Sequence, residues 1–195
     1  MSAIFNFNPE EQHGVSLPLN IPFSIRGRKN KMVDDLTIRN AVEGDEDDIY
    51  NIHTEAIKKK CSSHYGTEDV DVWVARQNRA KYLPSIAAKE IVVAEKQGKV
   101  VRFGHLLDCK ESDGKPMQIR GLFVDPDCGV KGVGSALMKE MEKRARDCSA
   151  DCLIVQSSLN AVEFYRKCGF IPLELTTHQM SEQSCLQCHK MMKKL

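Results

Sequence analysis

From Leu36 onward the apolar positions fall into short runs, some alternating and some at helical spacing, and these runs set the order of elements. Leu36 and Ile38 alternate with polar neighbours as a short strand reaching Arg39. Gly44-Asp45 opens an acidic turn, after which Ile49, Ile52, Ala56 and Ile57 recur on one helical face. A second helix is expected from Thr67, read as its N-cap, with Val70, Trp73 and Val74 turned inward. Pro84 marks a break or a fresh helical start. Glu90–Lys96 and Lys99–Asp108 are β-branched runs around Gln97-Gly98, the pattern of a hairpin. Ser112–Pro116 reads as a turn into a strand over Met117–Val124. Then come a helix Gly132–Asp147, a strand Cys152–Gln156 and a short helix Leu159–Lys167 stopped by Gly169. Two strands, Phe170–Leu175 and Cys185–Met192, follow. Hairpins ahead of a strand–helix–strand–helix stretch predict an α/β domain with a mixed sheet.

Residues 1–34 show no sustained period, and the basic cluster Arg26–Lys31 sits among them, so they are expected to be a flexible extension outside a domain spanning 35–195. A net charge of +1 gives no bulk pull toward nucleic acid or a membrane, and neither is expected as a partner. No apolar run approaches the roughly 20 residues that span a bilayer, and the first residues lack a basic-then-apolar leader. The expected location is therefore intracellular, in the cytoplasm. There the eight cysteines are expected as reduced thiols, Cys148, Cys152 and Cys168 serving as small hydrophobes.

The stretch from Ile119 to Ser135 carries the most chemistry. A strand ends at Asp125-Pro126, and Gly129, Gly132 and Gly134 lead straight into an amphipathic helix. Helix N-termini present unpaired N–H groups, and glycines let a phosphate approach them, so a diphosphate site is the physical expectation. Two familiar phosphate loops fail here. A Walker loop needs Lys where Ser135 stands, and the dinucleotide fingerprint needs Gly where Leu137 stands. Within the strand, Ile119, Leu122 and Val124 break the alternation by one residue near Gly121, the mark of a β-bulge.

These residues resemble the GCN5-related N-acetyltransferase (GNAT) superfamily. Its core motif is similar to Ile119-x-x-Leu122-x-Val124-x-Pro126 followed by Gly129-Val130-Lys131-Gly132-Val133-Gly134. A second family signature is matched by Asn160-Ala161-Val162-Glu163-Phe164-Tyr165-Arg166-Lys167-Cys168-Gly169-Phe170. Ile38-Arg39-Asn40-Ala41 with Gly44-Asp45 matches the family's first strand and helix. One position departs: the usual Gln or Arg at the start of the glycine motif is Gly129, and Lys131 is the candidate replacement for its charge. The resemblance implies a mainly antiparallel mixed sheet flanked by helices, with splayed central strands at an acetyl-CoA site. It implies acetyl-CoA as co-substrate, without a metal, and transfer to a primary amine of a small molecule or peptide by direct attack. Gly129, Val130, Lys131, Gly132, Val133, Gly134 and Ser135 would hold the diphosphate, and Leu122, Phe123 and Val124 would run beside pantetheine. Asn160 and Lys167 would contact the cofactor, and Tyr165 would act as general acid toward the leaving thiolate. A homodimer stays open.

The residues leave the general base open among His105, Asp108, His64, Tyr65 and Glu55. A catalytically silent acetyl-CoA-binding module is the alternative reading. Cys185-x-x-Cys188-His189 matches a haem-attachment pattern, which would make a haem or metal protein; its place in an expected strand argues for coincidence.

Overall fold

The computed structural model describes residues 36–108, 116–125, 132–182 and 184–195. The expected extension 1–34 and the turn Ser112–Lys115 lie outside them. Seven strands are described: β1 (Leu36–Asn40), β2 (Ile91–Lys96), β3 (Lys99–Asp108), β4 (Pro116–Val124), β5 (Cys152–Ser158), β6 (Ile171–Gln179) and β7 (Cys185–Lys194). They form one sheet in the order β1-β2-β3-β4-β5-β7-β6, antiparallel except for the β4–β5 pair. Gln97 and Gly98 both have positive φ, the conformation of a two-residue hairpin turn, and join β2 to β3.

Helices cover both faces. On one lie α1 (Glu46–Cys61), α2 (Thr67–Ala75) and α3 (Leu83–Ala87); on the other lie α4 (Val133–Asp147) and α5 (Val162–Lys167). α1 carries Glu46, Asp47 and Asp48 in its first turn and Lys58, Lys59 and Lys60 in its last, matching the helix dipole at each end. Ile49, Ile52, Ala56, Ile57 and Trp73 pack with Phe103 and Phe123 in the first core layer. Leu137, Met138 and Met141 pack with Ile119, Leu122 and Val155 in the second. The Asp45 side chain accepts from Val42 N–H (2.8 Å), bracing the turn that precedes α1 rather than capping the helix, and Arg39 grips its two oxygens at 2.6 and 3.0 Å. Lys193 ties β7 to the other layer, donating to Glu142 and to the Cys168 carbonyl, both at 2.7 Å.

Two sequence expectations change. Gly66, not Thr67, occupies the N-cap of α2, because the chain is extended at Gly66 (φ −61°, ψ 153°) and Thr67 already belongs to the helix. Val74 is half-buried and packs against the same core layer as Val70 and Trp73, so all three turn inward as expected. Cys148 is exposed at the end of α4, and Cys152 and Cys168 are half-buried; among the described residues the cysteines sealed in the core are Cys61 and Cys188. Burial pushes the Cys61 thiol up to about 12 and Cys188 up to about 11, so both stay protonated at neutral pH. Alternation along β7 buries Cys188 and exposes Cys185, so the two thiols do not converge on one ligand, which removes the basis for the haem pattern. Pro84 is the fresh start, in the first turn of α3.

Two buried imidazoles make stability depend on pH. His53 on α1 is fully buried, and His105 on β3 nearly so. Desolvation holds both pKa values below the ordinary histidine value; the charge of Lys81 adds to the effect at each, and Glu90 only partly opposes it at His105. A depressed histidine pKa means the unfolded chain binds the proton first. The stability these groups contribute is therefore complete above the unfolded value of roughly 6.5 and is lost as pH falls below it, by up to ~1.4 kcal/mol per pH unit for each group. The melting temperature should drop by several degrees between pH 7 and pH 5.5, and less steeply in His53→Leu. A flat profile over that interval would contradict this account.

Candidate active site

The sheet opens at its one parallel pair. β4 pairs with β5 only from Pro116↔Cys152 to Ile119↔Val155. Beyond that point β4 keeps pairing with β3 as far as Val124, and β5 keeps pairing with β7 as far as Ser158. The strands thus part between two otherwise continuous halves, leaving the β5-facing edge of Arg120–Val124 outside that ladder. The sequence expectation of splayed central strands is met here.

A bulge sits where the parting begins. His105 stands opposite Gly121 and Leu106 opposite Ile119, so Arg120 is the extra residue. On the other side of β3 the β2–β3 register runs on undisturbed past Ile91↔His105, with Leu106 N–H donating to the Glu90 carbonyl at 2.9 Å. Gly121 has no room for a side chain: a Cβ there would lie 2.6 Å from the Phe123 ring. Leu122 and Val124 face the α4 layer, whereas the Phe123 side chain turns the other way, onto Phe103 and His53. Phe123 can therefore meet a ligand in the opening only through its backbone.

α4 starts beside this opening. Gly132 is its N-cap, at φ +85°, which glycine adopts without strain, and no side chain caps the helix. The N–H groups of Ser135 and Ala136 turn back to the Gly132 carbonyl, at 3.1 and 3.2 Å. Val133 and Gly134 are buried and Ser135 is exposed. A Cβ on Gly134 would come within 3.3 Å of Phe164 and 3.8 Å of Arg102 Nη1. Gly129, Val130 and Lys131 lie outside the described residues.

Tyr165 on α5 is fully buried against Phe164 and Phe170, and its hydroxyl has no hydrogen-bond partner among the described residues. Burial raises its pKa well above the ordinary phenol value, so it is a proton-bearing donor at neutral pH. Asn160 lies in the single 3₁₀ turn Leu159–Ala161 joining β5 to α5; its Oδ1 accepts from Ser158 Oγ at 2.7 Å and lies 3.9 Å from Cys61 Sγ. Lys167 is exposed at the end of α5.

The five candidate bases separate cleanly. Tyr65 is a strut: its hydroxyl donates to the Gln187 carbonyl (2.7 Å) and accepts from Leu159 N–H (2.9 Å), tying the α1–α2 loop to the ends of β5 and β7. His64 is exposed and bonded to Ser63, and Glu55 is half-buried and paired with Lys58 and Lys59. The Asp108 side chain lies outside what is described. His105 faces the bulge, with Nε2 at 3.4 Å from Glu90 Oε2. Glu90 is held ionised by hydrogen bonds from His105 and Ser85 against its own desolvation. Sequence reasoning missed His53, whose Nδ1 shares a 2.8 Å hydrogen bond with Tyr82 and whose Nε2 has no partner among the described residues. Its place in the apolar stripe between Ile49 and Ile57 was the available signal.

A family model described as an acetyltransferase (GNAT) domain matches residues 61–195. The chain belongs to the GNAT acetyltransferases. The enzyme is thus an N-acetyltransferase, and the match spans β2 to β7 with the whole opening. It is 27% identical over 142 residues to an uncharacterized N-acetyltransferase, YafP, of Escherichia coli K12, covering 71% of this chain and 83% of that one. Among solved structures, it is similar to a GCN5-related N-acetyltransferase from Rhodopseudomonas palustris (TM-score 0.72, 24% identity, 86% of this chain and 100% of that one). The PaiA N-acetyltransferase of Thermoplasma acidophilum, solved with coenzyme A, superposes with a TM-score of 0.67 at 20% identity, over 82% and 99% of the two chains. YncA of Salmonella typhimurium, solved with acetyl-CoA, gives 0.63 at 19% identity, over 83% and 94%. These likenesses establish the GNAT fold; no helix among the described residues is long and apolar enough to cross a membrane.

Proposed function

We propose that this GNAT domain, spanning 35–195, binds acetyl-CoA in the β4–β5 opening and transfers its acetyl group directly to a primary amine of a small molecule or peptide. The observation that carries the reading is the parting of the one parallel pair beside a bulge, with a tyrosine hydroxyl buried in the adjoining core layer that has no partner among the described residues. Residues 129–135 hold the diphosphate on the α4 N-terminus, where N–H groups and the helix dipole favour an anion. Backbone groups of Leu122, Phe123 and Val124 bond the pantetheine amides and so complete the β4 edge, with Asn160 and Lys167 at the rim. The bulge N–H polarises the thioester carbonyl as the oxyanion develops.

An alkylamine has a pKa near ~10, so it must shed a proton before attacking. His105 accepts it. Desolvation keeps the imidazole neutral at pH 7, and Glu90 accepts a hydrogen bond from Nε2–H, which leaves Nδ1 as the proton acceptor. Tyr165 then donates to the departing thiolate.

Titration with coenzyme A by calorimetry, followed by thiol release from acetyl-CoA against pooled primary amines, tests the reading. Saturable binding is expected, with amine-dependent release and intersecting initial-rate lines. Binding with no turnover on any amine supports the silent acetyl-CoA-binding module instead, and parallel lines would exclude direct attack.

A further inference from the structure

Lys81 belongs to the one-turn 3₁₀ helix Arg79–Tyr82 that links α2 to α3. Asn78 starts this turn, its Oδ1 accepting from Lys81 N–H at 3.0 Å. The next residue, Tyr82, is pinned inward. Its hydroxyl shares the 2.8 Å bond with His53, and its ring stands edge-on to Phe103 with centroids 6.3 Å apart. Phe103 lies two positions before His105 on the same face of β3, and the chain runs on through α3 to Glu90, the partner of His105. The turn that carries Lys81 therefore lies over the α1 face of the sheet, on the side where His105 stands.

Lys81 is half-buried there. Its ammonium has three donors, yet it finds only the Arg76 carbonyl and Gln77 Oε1, both at 3.5 Å. That is the outer limit of hydrogen-bond distance, and neither acceptor is charged. Arg79 has Asp47 and His105 has Glu90, whereas Lys81 has no carboxylate at ion-pair distance among the described residues. Glu90 is already engaged with His105 and Ser85. Burial and the charges of Arg76 and Arg120 all work against the ammonium and lower its pKa, and its own charge opposes protonation of His53 and His105. A lysine stem can usually carry its charge out to solvent, so this one is held at a cost that an incoming anion would offset.

We propose that the acceptor amine carries a carboxylate, and that Lys81 binds this carboxylate while the amine faces His105. The proposal rests on the acetyl-transfer reading given above and narrows its acceptor to an amino acid or a similar amine bearing an acid group. A carboxylate takes a charge-assisted bond from the ammonium, the strong class of hydrogen bond. The same positive charge disfavours a polyamine, whose second cationic nitrogen would lie near Lys81.

Acetyl transfer to alanine, β-alanine and 4-aminobutanoate, each measured beside its own carboxamide and beside diaminobutane, tests the proposal. With the best of the three acids the wild type should show kcat/KM about 10-fold or more above the matching carboxamide, the scale of one charged hydrogen bond. Lys81→Met should bring that acid-to-amide ratio down to about 1, and Lys81→Arg, which keeps the charge, should restore most of it. Acid and amide meet the same base and the same donor, so the ratio cancels any effect of Lys81 on His105 or on packing. If the Met variant does not fold, Lys81→Gln supplies the same comparison. A wild type that favours the carboxamides or the diamine, or a ratio unmoved by Lys81→Met, would overturn the proposal and leave acetyl transfer standing. A wild type that acetylates no amine at all would overturn the acetyl-transfer reading, and this proposal with it.

Discussion

Tyr165→Phe is expected to lower turnover roughly 10²-fold while acetyl-CoA affinity changes little, the low end of what general acid–base groups contribute. The ring stays wedged between Phe164 and Phe170, and only a hydroxyl with no partner among the described residues is removed. Burial makes this phenol a weak acid, so before the reaction it serves as a hydrogen-bond donor. A coenzyme A thiolate in water has a conjugate pKa of about 8.5. Formed in the same dry enclosure, its pKa rises for the same reason, which brings the two groups back toward a match. The lost interaction belongs to the transition state, so kcat and kcat/KM should fall together. Rapid-quench measurement of acetyl transfer separates chemistry from product release. A chemical step at the wild-type rate in the Phe variant would reduce Tyr165 to packing.

Gly121→Ala should be nearly as damaging, by a different route. A Cβ at this position would meet Phe123 at 2.6 Å. That ring has nowhere to retreat, because it stacks on Phe103 (5.1 Å between centroids) and lies under the His53 imidazole at 3.9 Å. Overpacking of this kind costs about 1–3 kcal/mol, and relief by shifting β4 would displace the bulge and its neighbour His105. Calorimetric melting should register the lost stability, and kcat/KM should fall at least ~10-fold, on the reasoning that small misplacement of reacting groups is costly. A variant as stable and active as the wild type would show that the close contact relaxes harmlessly.

Features written into neighbouring residues were legible in the sequence. The slip from Ile119 to Leu122 announced the bulge, Gln97-Gly98 announced the hairpin, and the glycines ahead of Val133 announced the start of α4. Adjacent side chains compete for the same local geometry, so their pattern carries it. Features that depend on distant pairing were not legible in the local pattern. The parting of β4 from β5 was legible only through the family resemblance; nothing in the pattern of Arg120–Val124 itself says that β5 leaves it, because the parting is a choice β5 makes in favour of β7. His53 and Arg102 sit in apolar runs and read as interruptions until the layer each one faces is known. Gly66 and Thr67 differ by one residue as caps, a distinction set by backbone angles rather than residue type.

The seating of β7 between β5 and β6 has a consequence in time rather than space. β5 is synthesised at residues 152–158, yet its antiparallel neighbour is complete only when residue 194 has been added. Until then β5 has a bare edge, and β6 has no sheet to join. The early half, β1 to β4 with α1 and α4, pairs largely between sequence neighbours and can assemble first. Closure of the late half waits on non-local pairing, the slow class of folding step, and during that wait the chain is most exposed to aggregation and to proteolysis. Losses from β7 should therefore appear as poor yield of folded protein before they appear as altered chemistry.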